Sequence, residues 1–199
     1  MPTALPASPI DGLKAVELTS SDVPALQRFF AANAGYFLIV QGEPAGPDEA
    51  REEIEDPVPA GIPHTKKWVI AFVREDDGEI VALAHLASDI FAPTVWNVST
   101  FMVAAGRHGS GDAQRLYDSV EAWTRQQGAR WLRLGVVIGN SRGERFWASR
   151  GFVQTRIRSG YPVGKQLNEL RVMYKPLAGG SLAEYLALVP RDQPGSLLP

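Results

Sequence analysis

The sequence predicts one domain of α/β or α+β class, a mixed sheet with helices packed on it. Three observations carry that reading. At 199 residues the chain has the size of a single domain with room for a sizeable core. Its composition, 45% hydrophobic and 21% charged, is that of an ordinary globular protein. Apolar runs of strand length alternate with stretches of helical period in the order β-α-α-β-β-β-α-β-α-β-β, without internal repeats.

Residues 1–11 are rich in Pro and Ser and read as a flexible N-terminal segment. Residues 12–176 read as the folded domain and 177–199 as a C-terminal tail. Leu13 to Leu18 is a short strand. Thr19 to Asp22 offers a helix N-cap, Pro24 suits the first turn, and a helix follows to about Asn33, where Gly35 ends it. Tyr36 to Val40 reads equally as strand or helix, and Pro47 to Glu55 as a short acidic helix. Lys67 to Arg74 and Glu79 to Asp89 form a hairpin on the turn Asp76-Asp77-Gly78. Val95 to Val103 is rich in β-formers. Ala113, Leu116, Tyr117, Val120 and Trp123 then keep a 3.6-residue period, closed by Gly128. Trp131 to Ile138 is a buried strand. Asn140 caps a helix to Arg150, which Gly151 stops. Phe152 to Arg158 and Glu169 to Lys175 are the last strands, and the tail holds a turn or two of apolar helix over Leu182 to Leu188.

Several classes are excluded. There is no cysteine, so disulfides, thiolate metal sites and a Cys nucleophile are out. The three histidines, His64, His85 and His108, match no metal spacing, and no metal is expected. The start lacks the pattern of a signal peptide, and no apolar run is long enough for a membrane span, so a cytoplasmic protein with no membrane partner is expected. The formal charge of −2 argues against a general nucleic-acid binder. It also hides an asymmetry. Glu43 to Asp56 holds seven acids and one base, whereas Val103 to Lys175 holds thirteen Lys or Arg and five acids. The second half suits an anionic ligand, and the acidic stretch suits a cationic one or is simply a solvated face.

Residues 104–117, AAGRHGSGDAQRLY, carry the most specific signal. A strand ends at Val103, a helix starts near Gly111, and glycines lie between. Unpaired N–H groups and the positive end of a helix dipole bind anions there, and glycine lets a phosphate approach the main chain. Arg107 or His108 can add charge. The loop is no Walker A, since no Lys follows, and no dinucleotide fingerprint, since position 114 is Gln. It is no hydrolase elbow either, which leaves Ser110 without a nucleophile's role.

The blocks FMVAAGRHGSGDAQRLYDSVEAW, ARWLRLGVVIGN and NSRGERFWASRGF together resemble the GNAT superfamily of N-acetyltransferases. His108-Gly109-Ser110-Gly111-Asp112-Ala113 fits the register of that family's R/Q-x-x-G-x-G/A turn, followed by Leu116 and Tyr117. Asn140, Gly143, Phe146, Trp147, Gly151 and Phe152 fit a later block, and the likeness spans residues 95–152. It implies a mostly antiparallel sheet flanked by helices, with a parallel strand pair forming a cleft for acetyl-CoA. It implies the amides of Gly109 to Ala113 on the pyrophosphate and the strand end Phe101, Met102, Val103 along the pantetheine arm. Asn140 and Phe146, with Trp147 beside them, would line its far side. The backbone N–H near Val103 would polarise the thioester carbonyl. The implied reaction is direct attack of a primary amine of a small molecule or peptide on acetyl-CoA. A non-catalytic acyl-CoA sensor or partner protein is the alternative.

Departures from the family pattern set further expectations. Asp112 should point away from an anion and cap its helix. Trp147 stands where many members carry a Tyr that protonates the departing thiolate, and an indole N–H is no acid. Tyr161 and Tyr174 are substitutes, or the thiolate leaves unassisted. His85 and Asp89, two pleats apart on one strand, are candidates for the base, or else a hydrogen-bonded strand histidine and a turn residue. Tyr36 and Phe37 are candidates for the acceptor entrance. The apolar tail reads either as a homodimer contact or as a segment folded back on its own domain.

Overall fold

The computed structural model describes residues 4–198. Seven strands form one sheet: β1 (Leu13–Glu17), β2 (Lys67–Arg74), β3 (Ile80–Ala87), β4 (Val95–Val103), β5 (Trp131–Val137), β6 (Val153–Val163) and β7 (Gln166–Pro176). Their order across the sheet is β1-β2-β3-β4-β5-β7-β6. Every neighbouring pair is antiparallel except β4 and β5, which run parallel. Six α-helices flank the sheet: α1 (Val23–Ala32), α2 (Ala34–Val40), α3 (Glu49–Glu55), α4 (Asp112–Gln126), α5 (Ser141–Ser149) and α6 (Leu182–Leu188).

The central strands are apolar throughout because both faces of the sheet are covered. On one face α4 lays Leu116, Tyr117, Val120 and Trp123, one helical stripe, over Trp68, Trp96, Leu132 and Leu134, and Trp147 of α5 joins the same core. On the other face α1, α2 and α3 bury Leu26, Phe30, Phe37 and Ala50 against Val69, Ala71 and Leu83. The stretch Tyr36 to Val40, ambiguous in sequence, lies within α2. No helix among the described residues is long and apolar enough to cross a membrane.

Two features differ from the sequence expectations, and a third decides between the two readings of the tail. The last two strands run to 163 and back from 166, longer than expected, because bulges between Arg158 and Tyr161 carry the ladder through Ser159 and Gly160. Their tip docks on the end of α2, where Lys165 N–H donates to Gln41 O at 3.0 Å and Asn168 Nδ2 donates to Val40 O at 2.8 Å. The segment before residue 12, expected to be loose, lies along α4. Trp123 Nε1 donates to Ala4 O at 2.6 Å, Ser119 and Arg115 donate to the carbonyls of Ala7 and Pro9, and Leu5 and Ile10 pack on the α4 core. The tail folds back on its own domain: Tyr185 of α6 is buried against Trp131 and Tyr174.

Candidate active site

The site is built on β4. Its ladder to β5 covers Val95 to Val98 against Trp131 to Leu134 and stops there. Beyond Val98 the edge of β4 facing β5 is unpaired, so the two parallel strands open into a gap. At the same point the β3–β4 register slips: Leu86 pairs with Val98 but His85 with Thr100. This is a one-residue bulge at Ser99. Its effect on side chains is plain. Val98 and Phe101, three apart, both pack on the α4 side, so Ser99 and Thr100 share the opposite face. Main-chain directions follow by alternation. Ala104 N–H donates to Val81 O at 2.8 Å and so points at β3. The N–H groups of Phe101 and Val103 therefore point the other way, into the gap. Met102 does not face it: its side chain is buried in the α1 core and its amide turns to β3. Phe101 stacks on Phe146 of α5, ring centroids 5.8 Å apart, and Trp147 packs behind them against Tyr117 and Phe152.

The gap leads to the mouth of α4. Gly109 and Gly111 both hold φ at +86°, a left-handed conformation that glycine takes without strain. The amides of Gly109, Gly111, Ala113 and Gln114 have no acceptor among the described residues, while Asp112 N–H donates to Ser110 Oγ at 3.2 Å. These are the free donors of a helix start. The charges around them differ from expectation. Asp112 does not cap the helix with its carboxylate; Oδ2 accepts from Arg107 Nη1 at 2.8 Å, which neutralises both groups. His108 is also engaged, its Nε2 donating to Val103 O at 3.0 Å and its Nδ1 accepting from the Arg142 guanidinium. The cation at the loop is thus Arg142, from the start of α5, which sequence reasoning missed. Asn140 Oδ1 accepts from Gly143 N–H at 3.0 Å and caps that helix.

On the other face of β4 lies a cavity of about 520 Å³, with Ser99 and His85 on its floor. His85 and Asp89 are not together. Asp89, at φ +52°, accepts from Thr94 N–H at 2.7 Å and holds the β3–β4 turn. The partner of His85 is Glu53 of α3, with Oε1 3.1 Å from Nδ1. Burial pushes the Glu53 carboxyl up, but His85, the Thr100 hydroxyl and the Lys67 ammonium outweigh it and hold Glu53 below its ordinary value. Nδ1–H donates to this carboxylate, so Nε2 carries the lone pair. Tyr161, from the β6–β7 hairpin, lines the cavity; Tyr174 is buried beside Tyr185. Phe37 is a core residue beneath Phe30. Tyr36 touches that core, and burial with Glu53 and Glu49 nearby raises its phenol far above the usual range, so it stays neutral.

The profile of the Acetyltransferase (GNAT) family matches residues 27–152. The chain belongs to the GNAT family of acetyltransferases. Solved structures agree on the fold. An acetyltransferase from Thermus thermophilus superposes with a TM-score of 0.66 at 18% identity, over 83% of this chain and 97% of that one. The ribosomal-protein-S18-alanine N-acetyltransferase of Escherichia coli gives 0.61 at 16% identity, over 85% and 97%. Spermidine N-acetyltransferase from Vibrio cholerae, solved with CoA and spermine, gives 0.62 at 15% identity, over 84% and 96%. No curated protein matches the chain in sequence. This GNAT acyltransferase therefore has the family's parallel β4–β5 pair, with its own choice of charged residues around it.

Proposed function

We propose that this protein transfers the acetyl group of acetyl-CoA to a primary amine by direct attack, with no covalent enzyme intermediate. One observation carries the reading. The unpaired edge of β4 joins two sites, the open amides of α4 at one end and the His85 cavity at the other.

The amides of Gly109, Gly111, Ala113 and Gln114 bind the diphosphate, with Arg142 adding positive charge. The Val103 N–H pairs with the pantetheine arm, while its carbonyl stays with His108. Phe101 N–H lies on the same edge, nearer the bulge and the cavity. It is better placed than Val103 to polarise the thioester carbonyl as negative charge develops on oxygen. His85 Nε2 takes a proton from the acceptor ammonium, and Glu53 fixes the ring through Nδ1. The amine then attacks, and the thiolate leaves. Trp147 cannot protonate it. Tyr161 is the phenol that lines the cavity, and water serves equally well because a thiol is a good leaving group.

Trp147 favours one second reading, a non-catalytic acyl-CoA-binding protein. Incubation with acetyl-CoA and a panel of amines, following free thiol, decides between them. Amine-dependent thiol release supports the transferase. Tight CoA binding in calorimetry, without turnover on any amine, supports the binding protein. No CoA binding overturns both.

A further inference from the structure

The cavity beside β4 has two walls of opposite charge. Glu49, Glu52 and Glu53 of α3 line the β3 side, and Arg133, Arg158 and Arg191 line the other. The basic wall is short of counter-charge. Its carboxylate is Asp192, and Arg133 takes both oxygens, Nε to Oδ2 at 2.8 Å and Nη2 to Oδ1 at 3.0 Å. The Tyr185 hydroxyl donates to Oδ2 as well, at 2.6 Å. Arg158 and Arg191 have no ion-pair partner among the described residues, and Arg191 Nε is buried with no acceptor at all. Behind them Arg156 binds only the main-chain carbonyls of Ser196 and Leu198. Burial and the neighbouring guanidinium groups make Arg156 and Arg191 easier to deprotonate than a free arginine. Four guanidinium groups around one saturated carboxylate repel each other, and an incoming anion relieves that repulsion.

The local backbone is arranged around this wall. Phe91 holds φ at +66°, a strained conformation for a bulky side chain. Its ring lies under Arg191, with Cζ 4.0 Å from the centroid, and Arg133 approaches it at 5.1 Å. The tail and the strained turn together hold an unpaired guanidinium at the cavity wall.

We propose that the acceptor is a small molecule bearing both a primary amine and an oxyanion, a carboxylate or phosphate. The oxyanion seats on Arg158 and Arg191, and the amine meets His85. The proposal rests on the acetyl-transfer reading above and names its substrate class. Guanidinium groups match carboxylate and phosphate geometry. From β3 to β5 the floor spans two strand spacings, about 10 Å, the reach of an amino acid or a short amino phosphate. A cavity of about 520 Å³ is of small-ligand size. A polyamine that extends from His85 across the floor towards β5 sets its second cation against the arginines.

The test pairs each anionic amine with its neutral twin: amino acid with amino-acid amide, aminoalkyl phosphate with aminoalkyl alcohol. Thiol release gives kcat/KM, and calorimetry on the CoA-loaded protein gives affinity without requiring turnover. The anionic member should be favoured by about 10- to 100-fold, the worth of one or two charge-assisted bonds. R158Q and R191Q should each collapse that ratio, mainly through KM; two variants guard against one failing to fold. Whichever twin series shows the larger effect identifies carboxylate or phosphate. Turnover with neutral or dicationic amines preferred overturns this proposal and leaves the transferase standing. Arginine-dependent binding of the anionic amine with no turnover overturns the transferase, and with it the acceptor role proposed here, and leaves the cavity as a binding site for that ligand class. An absence of preference in both rate and affinity overturns the proposal.

Discussion

A histidine has two ring nitrogens, and the partner of one decides the work open to the other. In His85 the Glu53 carboxylate occupies Nδ1, which leaves Nε2 basic on the floor of the cavity. His85→Gln should therefore lower kcat by about 100-fold or more, the usual worth of a general base, while CoA affinity in calorimetry stays unchanged. A variant turning over at the wild-type rate would remove His85 from the reaction. Glu53 makes a separate prediction about stability. Its carboxyl is held below the ordinary 4.5, so the ionised form favours the folded state. That contribution is complete above about pH 5 and is lost as pH falls through the folded value. Urea unfolding of wild type and Glu53→Gln should differ where Glu53 is ionised, and the gap should narrow as pH falls through the acid range in which that carboxylate is protonated. The sequence pointed to His85 but not to Glu53. Pleat alternation suggested Asp89 as its neighbour, yet β3 ends at Ala87 and the chain turns. The real partner lies 32 residues away on a helix, and only the packing of α3 on the sheet brings it there.

At the scale of elements, the proposed anion site falls at α4 because its first turn is left open by two glycines. A Cβ at Gly111 would meet no atom within 4 Å, so bulk alone is tolerated there. The cost lies in the backbone, about 1–2 kcal/mol for an L-residue at φ +86°. A carboxylate adds repulsion. Gly111→Glu should abolish CoA binding in calorimetry, and normal affinity would mean that the diphosphate lies elsewhere. The β6–β7 hairpin makes the opposite case at its tip. A Cβ at Gly164 would lie 2.6 Å from Gln41 Cβ, inside the contact that holds the hairpin on α2. Gly164→Ala should loosen the wall that carries Tyr161 and Arg158, raising acceptor KM and sparing CoA affinity. The periodic helices and central strands were legible because burial stamps its period on the sequence. This hairpin was not, since Ser159, Gly160, Pro162 and Gly164 are turn residues that here sit within or between long paired strands.

The two chain ends complete the molecule from outside its periodic elements. The N-terminal stretch is tied to α4 through main-chain carbonyls, a kind of contact that leaves no mark on residue pattern. The C-terminal tail closes the basic wall of the cavity, and its anchor is the buried Asp192, paired with Arg133 and bonded by Tyr185. The sequence left open whether the tail docks at home, because its apolar turn suits either a partner or its own sheet. What decides is a salt bridge across 59 residues. Removing one member of such a pair strands the other charge in the interior. Asp192→Ala should cost about 3–5 kcal/mol, visible as a clear fall in Tm. It should also release the turn that carries Arg191, so acceptor binding weakens while CoA affinity holds, since the mouth of α4 lies on the far side of β4. The variant thus separates the two halves of the site. An unchanged Tm would mean that Arg133 finds another counter-charge, and a parallel loss of CoA affinity would mean that the tail supports the whole sheet rather than the acceptor wall alone.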